Sequence, residues 1–459
     1  MAFKINKQEN FCPKKILFLD PYPKKNYRIS KDTSGGYGTG NDFGDTIIAK
    51  ILKKILINNS KWPPMFAAYS FAVLKKNGHE MHYETTLPFN IEIYDIIILI
   101  SSIVTHETEV EVAKKILKKN SNVKIYAIGP FATNNAENYL RHKIRVIKGE
   151  PEFYFLNDFN LEKINGDNQV IDCKDTSDLE SDLESLPYPE WTLMGYDLSK
   201  VNNLFGSKKS VPIIATRGCP YSCFSYCVYP LQQGRKVRQR KPISVINEIR
   251  YWKEKHGVTM FVFRDPVFSI NRKHTVELCN LLIESKLNIN YVIETHLKIL
   301  DSELINLMKK SGLKGVKVGI ENYSEQILKD AKRFTVKVDE QRNKVKELKK
   351  NNLMVSAMYI FGFPSDDEDS INQTLNYAID LDTAYAQFSV WTPYPGTPIF
   401  ESYKHKIDEK KFESFNQYNL VFKHEKLSKE KIKYLLGKAY SAYYSRPSWL
   451  FNYLKLYFK

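Results

Sequence analysis

Near-continuous apolar runs separated by helical periods set the pattern of this chain. KKILFLD (14–20) and YDIIILISS (94–102) are β-branched runs of the kind that become buried parallel strands, and VKIYAIG (123–129) and KIRVIKG (143–149) add two more. Between them, PMFAAYSFAVLKKN (64–77), closed by Gly78, and ETEVEVAKKILKKN (107–120) repeat apolar residues at helical spacing. The alternation predicts an α/β domain with a doubly wound, Rossmann-like parallel sheet over residues 1–155. Such sheets bind ligands beyond the carboxyl ends of their strands, here near Asp20, Ser101 to Thr105, Gly129 to Thr133 and Gly149 to Glu150.

The pattern weakens from 156 to 207, where an acidic stretch with two prolines reads as a linker. A second alternation follows: VPIIATR (211–217), MFVFRD (260–265), NYVIETH (290–296), GVKVGIE (315–321), MVSAMYIFGFP (354–364) and AQFSVWTPYP (386–395). Six strand and helix units predict a partial (β/α)6 barrel over 208–400, with active groups at the carboxyl ends of its strands. Residues 401–459 read as a helical, strongly aromatic C-terminal extension.

Composition changes this picture little. With 459 residues the chain is long enough for two or three domains. Lys and Arg exceed Asp and Glu, 68 against 52, which favours anionic partners. The excess is scattered lysine, as in KKILKK and KELKKNN, on the wet faces of predicted helices, so no nucleic-acid partner is expected. No apolar run is long enough to span a membrane and MAFKINKQENF lacks a signal peptide's apolar core, so a cytoplasmic location is expected. The stretch from Ser445, SRPSWLFNYLKLYFK, would suit a membrane surface; a last helix packed on the body ranks ahead of that reading.

Of six cysteines, three lie within nine residues, in R217-G-C-P-Y-S-C-F-S-Y-C-V-Y-P230, directly after the first barrel strand. Cys219, Cys223 and Cys227 on one loop match a cuboidal iron–sulfur cluster, which takes one thiolate per iron and here leaves one iron open to a small molecule. Zinc and coincidence are the alternatives. Zinc would want a fourth protein ligand, and the nearest downstream histidine, His256, lies inside a helical pattern.

CPYSCFSYCVYP resembles the signature loop of the radical S-adenosylmethionine (SAM) superfamily, and GRKVRQRKPISVINEI with FVFRDPVFS resembles members that carry an N-terminal cobalamin-binding domain. The resemblance runs from about residue 14 to 447, with one departure: CxxxCxxxC in place of CxxxCxxC. It implies a [4Fe-4S] cluster on the three cysteines, with SAM on the open iron. It further implies SAM contacts from Glu321 through the ribose, Asp265 near the methionine amino group, Glu294 on a strand end, Tyr226 by its backbone at the adenine, and Phe361 and Gly362 on the adenine side. A rim salt bridge to nearby lysines is the plain alternative for the carboxylates. PYPGTPIF (393–400) is assigned shape, not chemistry.

WPPMFAAYSFAVLKKNGHEM, YDIIILISS, AIGPFAT and KGEPEF look like the cobalamin domains of these enzymes. Ser101, Ser102 and Thr105 are implied contacts to the cofactor's nucleotide tail, and Gly129, Pro130, Gly149 and Glu150 line its approach. No Asp-x-His-x-x-Gly motif is present, which implies cobalt without a histidine beneath it; His106 reads as a surface histidine. The glycine-rich loop from Thr33 to Asp42 reads as a mobile loop over the cofactor face.

The resemblance points to a cobalamin-dependent radical SAM methyltransferase acting on an unactivated carbon of a small-molecule or lipid-like substrate, with an electron donor such as a flavodoxin or ferredoxin. Cyclisation or rearrangement without methyl transfer is a second reading. An inactive cofactor-binding homologue or sensor, motivated by the added residue between Cys223 and Cys227, is a third.

Overall fold

Apolar runs that alternate with amphipathic stretches can bury both strand faces only as parallel sheets covered by helices. The computed structural model of the chain has two such sheets of six strands each. It describes residues 12–23, 30–40, 42–57, 62–157, 170–173, 182–198 and 209–451.

The first sheet comprises β1 (Lys15–Leu19), β2 (Glu80–Glu84), β3 (Ile96–Ile100), β4 (Lys124–Ile128), β5 (Arg145–Lys148) and β6 (Val170–Asp172). Its order is β2-β1-β3-β4-β5-β6, with every pair parallel. Helices Met65–Lys76 and His106–Lys119 stand where the periodicity puts them. Two strands escape the sequence pattern. β2 (EMHYE) and the three-residue β6 are edge strands, partly exposed and without an apolar run, and β6 lies inside the stretch read as linker.

The second half opens with β7 (Ser210–Ile213) and a small antiparallel clip of β8 (Thr216–Arg217) and β9 (Arg238–Gln239). There follow β10 (Met260–Phe263), β11 (Asn290–Thr295), β12 (Leu313–Glu321), β13 (Met354–Phe361) and β14 (Tyr385–Val390), each preceded by helix. All six long strands run parallel in the order β14-β13-β12-β11-β10-β7. On β12 and β13 buried and half-buried positions alternate, so Lys317, Gly319 and Glu321 share one face with Ser356 and Met358 in register.

The aromatic C-terminal region covers a sheet edge. Helix Lys429–Tyr444 lies along β14, where Tyr440 Oη contacts both the N–H and the C=O of Phe388 (3.1 and 2.9 Å) and Tyr444 Oη does the same at Ala386 (3.1 and 2.7 Å). These hydroxyls satisfy the backbone groups an edge strand leaves open. Trp449 Nε1 donates to Ala384 C=O at 2.8 Å and anchors this stretch to the body, while Leu450 and Phe451 are exposed; the rest of the stretch weighed for a membrane surface lies outside the described residues. Among the described residues no helix is long and apolar enough to cross a membrane.

The sheets meet with their carboxyl ends facing each other. Arg264, just past β10, binds Asp32 of the first half through Nε (2.8 Å), and Arg217 binds Glu150 and Glu152 (2.5 and 2.6 Å).

Candidate functional site

The cysteine loop leaves the carboxyl end of β7, clamped on both sides. Gly218 has φ +95°, and a Cβ there would fall 2.1 Å from the Lys236 carbonyl oxygen, so the turn into Cys219 requires glycine. Cys219 N–H donates to Gly234 C=O at 3.2 Å. Ser222–Ser225 form a short helical turn, and Cys227 N–H closes it on Cys223 C=O at 3.0 Å. That bond puts Cys223 and Cys227 at an i, i+4 spacing on one side of the turn. The added residue is thereby absorbed as one more helical position. The Cys227 thiol hydrogen-bonds Cys223, which with the neighbouring Arg333 holds the Cys223 thiol down at about 6 against burial.

All three thiols are free. Among the described residues no three His, Cys, Asp or Glu side chains converge on a single ion. A cuboidal cluster places each thiolate on a different iron and is compatible with this arrangement.

Arg333, which the sequence reading missed, completes the site. It lies just after the short helix Glu325–Asp330, donates to Gly319 C=O at 3.1 Å, contacts Cys223 Sγ at 3.8 Å and faces Glu321 at 3.3 Å. Glu321 ends β12 with φ +70°, a conformation that aims its carboxylate back over Gly319. A Cβ at Gly319 would fall 2.3 Å from Glu321 Oε1. Burial pushes the Glu321 carboxyl up, opposed by Arg333. The arginine could have been found as the one guanidinium in AKRFTVK, close after GIENYS.

The other strand-end carboxylates are occupied. Asp265 is fully buried and accepts from the N–H groups of Ala215 (3.2 Å) and Thr216 (2.5 Å), and burial pushes it up to about 6. It thus clamps the lead-in to the cysteine loop, and its partner is backbone. Glu294 binds Arg264 (2.8 Å), Lys317 (3.5 Å) and the Tyr229 hydroxyl (3.2 Å); burial raises its carboxyl, and Arg264 and Lys317 hold it below the usual range.

Beside the loop lies a cleft of about 620 Å³, lined by Tyr226, Phe363, Trp391 and residues of the segment 398–426. The Tyr226 and Phe363 rings meet edge to face at 6.0 Å. The side chain of Phe361 points the other way, onto Phe388 in the helix-covered layer, and Gly362 (φ +76°) makes the turn between them. At this turn the ring that lines the cleft is therefore Phe363, not Phe361.

The opposing rim is closed. Ser101 Oγ accepts from Ala132 N–H (3.1 Å), Ser102 Oγ donates to Tyr37 C=O (2.6 Å) and Thr105 donates to Glu109. Lys31 is buried between Asp20 (2.7 Å) and Glu109 (3.2 Å). A Cβ on Gly129 would meet the Phe66 ring at 2.7 Å, and one on Gly149 would meet Cys173 at 3.2 Å, so these glycines admit protein side chains. Residues 30–40, closed by the Ser30–Thr39 bridge and including the glycine-rich loop, form a packed strap: Gly35, Gly36 and Tyr37 are buried, and Tyr37 Oη donates to Pro395 C=O at 2.7 Å. Residue 41 of that loop lies outside the described residues. Between strap, Gly129, Pro130, Gly149, Glu150 and Arg217 remains a gap of about 30 Å³, room for one water. A corrin ring does not fit this closed arrangement. His106 is likewise no surface residue. It is buried among Phe131, Tyr139 and Phe412, its Nδ1 without a hydrogen-bond partner, because the chain folds residues 412–415 over the start of helix His106–Lys119.

Residues 213–378 match the radical SAM superfamily. An uncharacterised methyltransferase of Pyrococcus horikoshii is 27% identical over 376 residues, 78% of this chain and 80% of that protein. The bacteriochlorophyllide d C-12(1)-methyltransferase of Chlorobaculum tepidum is 29% identical over 250 residues, 53% of this chain and about half, 54%, of its own length. The solved structure of the radical SAM methyltransferase TsrM from Kitasatospora setae, with cobalamin and a [4Fe-4S] cluster bound, superimposes with a TM-score of 0.59 at 14% identity, over 86% of this chain and 75% of that one.

Proposed function

We propose that this chain, whose residues 213–378 are a radical SAM domain, is an enzyme that methylates an unactivated carbon of a small-molecule or lipid-like substrate. The observation that carries this reading is the loop of Cys219, Cys223 and Cys227 at the carboxyl end of β7, with Arg333 and Glu321 directly beside it. Held by Cys219, Cys223 and Cys227, a [4Fe-4S] cluster would supply the electron that splits SAM, and a corrinoid would supply the methyl group.

The chain's own residues do the positioning. Arg333 offers a bidentate donor to the methionine carboxylate of SAM, and Glu321 accepts from ribose hydroxyls. Tyr226 and Phe363 face the cleft that suits the adenosyl end. Asp265 fixes the backbone from which the cysteine loop departs. The second sheet reads as the partial barrel expected of such enzymes and the first as the doubly wound carrier domain in front of it. Cobalamin enters this reading through the relatives, and the carboxyl end of the first sheet faces the cysteine loop, as a methyl carrier requires. The strap 30–40 fills that face, so a corrinoid enters only with the strap withdrawn.

The test is anaerobic reconstitution of the full chain with iron, sulfide and hydroxocobalamin, followed by incubation with SAM, reductant and an extract of small molecules and lipids as the source of substrate. About four irons per chain, 5′-deoxyadenosine and S-adenosylhomocysteine, and a product heavier by one CH2 are expected. Full iron content without 5′-deoxyadenosine would refute the reading, and a product of unchanged mass would replace methyl transfer by cyclisation or rearrangement.

A further inference from the structure

The outer face of the cysteine loop carries an aromatic stack. Tyr221, between Cys219 and Cys223, stacks on Phe334 with ring centroids 5.4 Å apart and planes 15° from parallel. Phe334 is 36% exposed, so an aromatic pair leads from the thiols to solvent. His296 supports the stack from below, with Nε2 at 3.0 Å from Phe334 C=O. Lys298 sits over the Phe334 ring, 4.7 Å from its centroid, and is exposed. On the other side, exposed Arg235 donates to Pro220 C=O (2.9 Å) and exposed Lys236 packs its backbone on Gly218.

From Arg217 to Asn247 the chain has no Asp or Glu. Arg217, Arg238 and Arg240 of this stretch pair with Glu150, Glu152 and Glu248, and Arg235 and Lys236 are its exposed cations beside the loop. AKRFTVK (331–337), which bears Phe334, has no acid either. The nearest acids after Lys298, Asp301 and Glu303, are both taken by Arg272 (2.5 and 2.6 Å). A cationic rim around an exposed aromatic is complementary to an anionic partner with a small apolar centre.

We propose that this face, centred on Phe334 and ringed by Arg235, Lys236 and Lys298, docks an acidic electron-carrier protein that reduces the cluster. The proposal rests on the cluster reading above. In the transfer the carrier's flavin or iron–sulfur centre is oxidised by one electron and the [4Fe-4S]2+ cluster becomes [4Fe-4S]1+; no bond forms or breaks. Tyr221 is positioned to shorten the path, because it adjoins two thiolates and the surface ring at once.

The experiment uses the full chain and a flavodoxin of strongly acidic surface as probe. Equilibrium binding of the oxidised flavodoxin is measured by calorimetry at low and high salt, on both the cluster-free and the reconstituted protein. Reduction of the cluster is followed by its visible absorbance, with reduced flavodoxin or with dithionite. Lys236→Glu with Lys298→Glu is expected to weaken binding about tenfold or more at low salt and to slow reduction by flavodoxin alike. Iron content and reduction by dithionite should stay at wild-type values. Lys115→Glu with Lys118→Glu, on helix His106–Lys119, should leave both readouts unchanged. Unchanged binding in the first pair, or equal weakening in both pairs, overturns the docking site. Failure to hold iron or to bleach with dithionite in the wild type refutes the cluster reading instead, and the binding arm on cluster-free protein still decides whether this face takes the acidic partner.

Discussion

At the carboxyl edge of the first sheet, Ser101, Ser102, Thr105, Lys31 and Glu109 are bonded to one another or to local backbone, and 30 Å³ is left beside them. At the corresponding edge of the second sheet, Arg333 divides its guanidinium between Glu321 and a thiol while a cleft of about 620 Å³ opens next to Tyr226. Both edges belong to six-stranded parallel sheets, and both collect polar residues where apolar strands end. The difference is in satisfaction. Buried polar groups that complete one another hold a fold together, whereas charged groups gathered beside an open cleft are poised for a ligand.

The sharpest way to break this comparison is at the thiols. Replacing any one of Cys219, Cys223 or Cys227 by Ser should abolish cluster binding and drop 5′-deoxyadenosine formation to background, read as iron content and by chromatography. Stability should shift by about 1–2 kcal/mol, since Cys219 and Cys223 are buried but the exchange of thiol for hydroxyl changes little volume. Arg333→Ala comes next. Loss of a charge-assisted contact predicts SAM binding weaker by about 10- to 100-fold, measured by calorimetry on the reconstituted protein. It also strands the Glu321 carboxylate, at roughly 3 kcal/mol of stability. Adding Glu321→Gln should recover the stability but not the affinity. Unchanged SAM affinity in Arg333→Ala would make this pair as structural as Lys31 with Asp20.

A smaller effect is expected at the strap. Tyr37→Phe removes a buried hydrogen bond to Pro395 across the two halves, at about 1 kcal/mol. If the strap must withdraw for a corrinoid to enter, that weakening predicts about fivefold faster uptake of hydroxocobalamin, followed by absorbance. Unchanged uptake would mean that any corrinoid approaches this rim without moving residues 30–40.

Much of this contrast was legible in the chain and some was not, for physical reasons. Buried central strands such as β3 and β4 announce themselves as apolar runs, and the thiol triad by its clustering. Edge strands β2 and β6 do not, because one partner and partial exposure leave their sequences free to be polar. Strand-end carboxylates are visible, but their partners are not: Asp265 meets backbone, Glu294 meets Arg264, and Glu321 meets Arg333 beside the cysteine loop. Phe361 and Phe363 differ only by the turn at Gly362. His106 is polar in sequence yet buried, because residues 412–415, some 300 positions away, close over it.

Acidification sharpens the comparison through buried groups of opposing sign, whose net effect is small. Burial lowers His79 and His106, in the first half, to about 4. In the second half it lowers His296 to about 4 and raises Asp265 to about 6. Unfolded, these groups titrate near 6.5 for His and 3.9 for Asp. As pH falls from about 6.5 to 4, the unfolded chain takes up histidine protons that the folded chain refuses, so each buried histidine withdraws up to about 2–3 kcal/mol of stability. Asp265 acts with the opposite sign: its folded form binds a proton first, so stability grows as pH falls from about 6 towards 3.9. His296 and Asp265 therefore largely offset each other, and in the first half the losses at His79 and His106 are opposed by the raised carboxyls of Glu107, Glu109 and Glu152. His106→Phe removes one of those losses, so hydrogen exchange of β1 to β4, corrected for intrinsic rates, should keep more protection than the wild type between pH 7 and 5, with β10 to β13 unchanged. Equal gains in both sheets would show that the two halves answer acid as one unit, and no gain in either would show that His106 does not drive the loss.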